Sequence, residues 1–218
     1  YLGTAWWRFL TPAERASRAA VAEAGLRAGL GRATTGGEKS TWFGALRRIS
    51  TTPGTLAWLT RVWDKAETVP GLTLAETDYS ELAMVLAVRD VPRANIILAE
   101  QLARIDNPDR KARFAFIMPA LSGDADVRER WFLSLADVDN RQREAWVLDG
   151  LEYLHHPLRA SQSEKYLRPS LDLLWEIQKT GDIFFPKGWM DATLDGYSSG
   201  EAADVVRRFL ATLPPDYP

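Results

Sequence analysis

The residues best suited to chemistry are few. Only two histidines occur, and they are neighbours, His155 and His156. Adjacent residues on a helix point about 100° apart, so this pair cannot chelate one ion as an i, i+4 pair does. The placement predicts a helix C-terminus instead, where protonated histidine meets free carbonyls and the negative end of the dipole. There is no cysteine and no HExxH. Disulfides and cysteine-based zinc sites are excluded on composition, and histidine-assisted nucleophilic catalysis has only this one pair to draw on. No GxSxG elbow frames a serine. The residues alone assign no metal ligand and no catalytic group.

Other constellations read as structure. Asp124 with Asp126 and Asp137 with Asp139 could be imagined as acid and base, but both pairs fall at helix ends, where aspartate caps and turns are expected. The run Gly31 to Ser40, GRATTGGEKS, departs from a phosphate loop in detail. Gly37 stands where lysine should, Lys39 comes two residues late, and a helix precedes the run in place of a strand. It reads as a flexible connector. Nine tryptophans could line a cleft for sugars or peptides. Trp131, Trp146 and Trp175 lie on or beside apolar stripes and are expected in the core. Trp6, Trp7 and Trp189 sit in irregular sequence and are the candidates for a surface.

Helices must position these residues. Thr11-Pro12-Ala13-Glu14 combines a cap residue, proline at the first helical position and a capping-box glutamate. Asn107-Pro108-Asp109 repeats the logic, Asp124 begins another helix, and Asp139 or Asn140 the next. Apolar residues agree with the caps: Phe114, Ile117 and Leu121; Val127, Trp131 and Leu135; Val147, Leu151 and Leu154; Ala202, Val206, Phe209 and Leu213. Each set draws one stripe that must be buried against a neighbour. Gly36-Gly37 and Pro70-Gly71 mark loops, and Pro119 and Pro169 each kink or restart a helix. No stretch alternates with period two, so no sheet is placed. The expected fold is all-α, a superhelix of stacked helical hairpins, forming one domain over 1–218.

Composition bounds the rest. Lys and Arg number 27 against 29 Asp and Glu, interspersed in sign, so no basic block offers itself to nucleic acid. The longest apolar run, Phe114 to Leu121, is far below the ~20 residues of a membrane span. The chain opens on Tyr1 with nothing like a signal sequence, and is read as a C-terminal fragment of a larger protein.

Four segments carry a resemblance: DYSELAMVLAVR (Asp78 to Arg89), NPDRKARFAFIMPALSGD (Asn107 to Asp124), RERWFLSLADVDNRQREAWVLDGLEYLHHPLR (Arg128 to Arg159) and GDIFFPKGWM (Gly181 to Met190). In this order they resemble the C-terminal helical domain of gluzincin aminopeptidases of the aminopeptidase N type, over roughly residues 78 to 213. The resemblance implies a HEAT- or armadillo-like array. It also implies zinc held elsewhere in the parent enzyme, by the HExxH of a thermolysin-like domain. This region would then cover the active-site cleft, shape the peptide-binding chamber and limit which peptides enter. Its partners would be the catalytic domain of the same chain and the peptide substrate. No zinc ligand or catalytic residue of that family has a counterpart here, so this chain on its own is expected to be inactive and without cofactor. Some family members lend a basic residue to the peptide's C-terminal carboxylate; Arg159 and Lys187 are of the right kind.

Peptide or interdomain contact therefore falls to His155, His156, Arg159, Lys187 and Trp189. The irregular segment around Phe184, Phe185, Pro186, Lys187 and Trp189 has two fates: folding back into the core, or facing another protein surface. Two further readings of the whole chain stand beside the peptidase one. One is a helical-repeat module that binds a protein or peptide without a peptidase partner. The other is an α-helical hydrolase or lyase with a tryptophan-lined cleft.

Overall fold

The computed structural model describes residues 1–214, and every regular element among them is helical. Helix α1 (Leu2–Thr4) runs into a π-helical turn, Ala5–Phe9. It is followed by α2 (Pro12–Arg32), α3 (Gly36–Ile49), α4 (Pro53–Trp63), α5 (Glu76–Val88), α6 (Ala94–Arg104) and α7 (Pro108–Ile117). Then come α8 (Ala125–Ser134), α9 (Glu144–Leu154), α10 (Ala160–Ser163), α11 (Leu167–Asp172), α12 (Leu174–Thr180), α13 (Phe185–Leu194) and α14 (Gly200–Leu210). Most span only two or three turns, so a large share of their backbone groups lies at helix ends.

The caps form largely as the residues predict. Thr11 and Glu14 make a reciprocal box, with Glu14 N–H donating to Thr11 Oγ1 (3.2 Å) and Thr11 N–H to Glu14 Oε2 (2.9 Å). Asn107 Oδ1 accepts from Arg110 N (3.0 Å) and Asp124 Oδ1 from Asp126 N (2.8 Å). Asp137 Oδ1 accepts from Asp139 N (3.0 Å), so both aspartate pairs are turn-forming groups.

Three expectations are corrected. Gly36 and Gly37 lie inside the first turn of α3 and not in a loop, because Thr35 and Glu38 close a second capping box around them. Hydrogen bonds from the Thr35 and Thr34 backbone hold the Glu38 carboxyl below the usual carboxylate range. GRATTGGEKS is thus the end of one helix, a three-residue link and the start of the next. The helix expected at Asp139 or Asn140 is a 3₁₀ turn, Val138–Arg141, and α9 begins only at Glu144. Pro119 and Pro169 do restart their helices. One lies in the 3₁₀ turn Met118–Leu121, and the other in the first turn of α11, where its missing N–H costs nothing.

The helices group into two compact units, divided between Phe114 and Ala115 inside α7. In the first, α2 packs on α3 and α5 on α6, with α4 against α5. Trp6, Ala19 and Ile49 form a small core, with Trp7, Leu10, Ala22 and Leu26 at its edge. Glu23 is buried on α2 and receives Thr51 N (2.6 Å), Thr52 N (3.0 Å) and the Thr52 hydroxyl, so a carboxylate sits at the positive end of α4. Trp63 Nε1 donates to Gln101 Oε1 (2.9 Å), and Gln101 Nε2 to Ser80 Oγ (3.2 Å), linking α4, α6 and α5. The Pro70-Gly71 loop forms as expected, with Gly71 at φ +75°.

In the second unit α9 packs on α13 and on the 3₁₀ turn Met118–Leu121, α8 on that same turn, α12 on α13, and α11 on α14. Its core joins Trp131, Phe132, Leu135, Val147, Leu151, Leu154, Tyr166, Ile177, Phe185 and Trp189. One close approach is at Gly150, where a Cβ would lie 2.3 Å from Trp131 Cζ2. Trp131 cannot retreat, since its Nε1 donates to Phe116 O (2.9 Å). Gly150→Ala is therefore expected to destabilise the protein by about 1–3 kcal/mol through overpacking. Urea unfolding checks it; an unchanged midpoint would refute the packing described.

Candidate functional site

The residues singled out for contact come from the end of α9, the turn that follows it and α13. Their geometry begins with a helix end. At α9 the carbonyl of Leu154 accepts from the Ser163 hydroxyl (2.5 Å), so the chain turns sharply through residues 155–163. That turn carries both histidines and Arg159.

His155 faces inward. It is fully buried, shares a 2.7 Å hydrogen bond between Nδ1 and the Tyr197 hydroxyl, and meets the Tyr166 ring edge-on. Burial drives its pKa down from 6.5 to about 3 and pushes the Tyr197 phenol up. The expected protonated histidine at a helix end is thus corrected to a neutral one, because desolvation outweighs the attraction of the dipole. Gly196 supports the contact: a Cβ there would collide with the His155 carbonyl oxygen, so only glycine lets the α13–α14 turn lie this close.

His156 points elsewhere, half-buried, with Nδ1 accepting from Leu158 N (3.2 Å). Among the described residues no group of three His, Cys, Asp or Glu is placed to hold a metal ion.

Arg159 is also buried, correcting its expectation as a surface donor. Its guanidinium donates to the carbonyls of Leu121 (2.9 Å), Ala120 (3.3 Å) and Ser122 (3.4 Å). Arg128 joins it on Ser122 O (2.6 Å) and reaches Gln162 Oε1 (3.0 Å). Two cations thus close the carbonyl end of the 3₁₀ turn that follows α7. Arg159 itself is only 1% exposed.

On α13 the two candidates separate. Trp189 lies in the core against Phe185, and its Nε1 donates to Ser170 O (3.0 Å), so the folded-back alternative holds for it. Lys187, two residues earlier, is on the opposite face and is ion-paired to Asp191 one turn on. The other tryptophans redistribute likewise. Trp6 is buried, Trp7 is half-buried with Nε1 donating to Arg48 O (3.1 Å), and Trp175, expected in the core, is exposed beside Lys179.

The exposed apolar residues of this segment are Ile183 and Phe184, 87% and 77% exposed. Asp182 sets their presentation, with Oδ1 accepting from Phe184 N (2.7 Å) and Phe185 N (3.0 Å) and its own N–H donating to Glu144 Oε1 (2.9 Å). The signal available in the sequence was Asp182 itself, an aspartate two and three residues before the N–H groups it caps. It predicts a helix start and therefore which phenylalanine turns inward.

Two outcomes follow. Trp189→Ala is expected to cost about 3–5 kcal/mol of stability, whereas Lys187→Ala leaves the unfolding midpoint essentially unmoved; equal effects would overturn the assignment of faces. His155 has a depressed folded pKa, so its contribution is fully present above pH 6.5 and is lost as pH falls from 6.5 toward 3. Its hydrogen-bond partner Tyr197, whose phenol burial pushes up, stays neutral across that window. In His155→Gln the dependence of stability on pH should flatten there by about one proton, measured by denaturant titration at a series of pH values. An unchanged slope would show that His155 does not take up that proton.

Compared with known proteins, the chain matches no family model and no curated protein, so the meaning of this site rests on its own geometry.

Proposed function

We propose that the chain is a non-catalytic helical part of a zinc aminopeptidase of the gluzincin type, covering the active-site cleft and shaping the chamber that receives the peptide. The observation that carries this reading is the ordered set of four segments resembling that family. They fall, in order, on α5, on α7 with its 3₁₀ turn, on α8 through the turn after α9, and on the start of α13. Each contributes buried residues: Leu82 and Leu86, Phe114 and Ile117, Trp131 and Leu151, Phe185 and Trp189. A resemblance made of such residues concerns packing and not catalysis, so the role proposed is geometric: a wall that excludes and orients. The zinc would belong to the parent enzyme.

The test is the whole polypeptide purified from its own cells. It should hold about one zinc ion per chain, remove N-terminal residues from short peptides, and lose that activity to a chelator. Peptides of increasing length should show a cut-off that shifts when side chains on the helical part are enlarged. A parent polypeptide without an HExxH, or with activity indifferent to chelation, would sink the proposal in favour of a binding module.

A further inference from the structure

The turn between α13 and α14 rests on the end of α9 through a hydrogen bond and a close backbone approach. His155 closes α9 inside the protein, and its Nδ1 shares the 2.7 Å bond with the Tyr197 hydroxyl. Gly196 lies so close to the His155 carbonyl that no Cβ would fit between them. The other ring nitrogen, Nε2, is buried and has no hydrogen-bond partner. A neutral imidazole can leave that nitrogen as a bare lone pair, whereas a protonated one carries an N–H donor at both positions and a full charge. In this site the second donor would go unmet and the charge would be cut off from water.

The groups that face the ring do not relieve this. Tyr197 comes from the α13–α14 turn, and Tyr166, from the 3₁₀ turn Glu164–Tyr166, meets the imidazole edge-on. Glu164 acts on the Tyr197 phenol, which burial already pushes up, and Asp195 in the α13–α14 turn is exposed. Lys165 is ion-paired with Glu129 and stands over the Tyr166 ring. In the turn after α9, His156 points elsewhere and Arg159 donates to the carbonyls of Ala120, Leu121 and Ser122. No carboxylate reaches Nε2.

What this contact holds down is lightly packed. Helix α14 lies chiefly on α11, and only Ala202 and Phe209 of its 11 residues are buried. Beside the two helices is a cleft of about 300 Å³, lined by Leu167, Leu194, Tyr197, Ala202 and Val206 among others. An underpacked corner has few dispersion contacts to lose on separating, so the contact with His155 weighs heavily in keeping it closed.

We propose that His155 and Tyr197 form an acid-sensitive latch: protonation of His155 frees the α13–α14 turn and α14, while α9 and α13 stay packed. The opening bares an apolar face made by Leu167, Ala202, Val206 and Phe209. In the opened corner the imidazole reaches water and takes its proton near pH 6.5, whereas the closed form resists it down to about 3. Closure is therefore fully supported above pH 6.5, and the opened fraction rises about tenfold for each pH unit below it.

Hydrogen–deuterium exchange of the full chain, read by mass spectrometry from about pH 7.5 to 4.5, tests the latch. Amide exchange is catalysed by hydroxide, so where opening is independent of pH the rate falls about tenfold per unit of acid. Peptides covering residues 197–210 should instead exchange at a nearly constant rate below pH 6.5, because the rise in opening offsets that fall. Peptides from α9 and α13 should keep the ordinary fall. In His155→Gln, which is neutral throughout, residues 197–210 should regain it. Tyr197→Phe removes the hydrogen bond and keeps the ring, and gives a second reading should His155→Gln not fold. It should raise exchange of the same peptides about fivefold at pH 7.5.

An ordinary fall across residues 197–210 of the unchanged protein overturns the latch, as does a flat profile that persists in His155→Gln. A flat profile shared by α9 and α13 overturns it too, since His155 would then act on the whole unit at once. Exchange unchanged by Tyr197→Phe would show that the hydrogen bond does not hold the corner.

Discussion

Short helices have many ends, and a buried helix end must have its backbone groups met. This constraint explains more of the molecule than any single hydrophobic contact. The carbonyls of Ala120, Leu121 and Ser122 are closed by Arg159 and Arg128, that of Leu154 by Ser163, and that of Ser170 by Trp189. At the opposite polarity Glu23 receives the N–H groups that open α4. Charged and aromatic donors are drawn inward because a carbonyl left bare in the core would cost about 1–3 kcal/mol, more than is lost by burying a donor that satisfies it.

The same constraint decides what the surface is left with. Arg159, His155 and Trp189 have polar atoms suited to binding, yet each is buried and hydrogen-bonds a backbone group or a neighbouring side chain of its own unit. Ile183 and Phe184 have no polar side-chain atom to satisfy, and the cap made by Asp182 turns them outward. The usual association of polar with outside and apolar with inside is locally reversed.

The relation between resemblance and site has a physical basis. Segments that resemble another family through residues such as Phe114, Trp131, Leu151 and Phe185 report the way helices pack, because these positions are buried and intolerant of change. They carry no direct information about chemistry, which lies on the faces that packing leaves free. That is why the structure shows an all-helical fold without thereby assigning an activity.

Much of the helical pattern was legible in the residues, since caps and 3.6-residue stripes are local properties. Thr11 with Glu14, Asn107, Asp124 and the Phe114-Ile117-Leu121 stripe act as their types and spacing dictate. The glycines at 36 and 37 misled, because a glycine pair favours a loop only until a capping box encloses it. Tertiary structure alone decided the rest. Whether Trp6, Trp175 or Trp189 faces inward, whether His155 is charged, and whether Arg159 meets a ligand or a carbonyl all depend on which distant segment lies opposite. Tyr197, Ser170 and Leu121 supply those answers from 19 to 42 residues away. Local spacing specifies the face of a helix, but burial, and with it charge state and availability, belongs to the contact between faces.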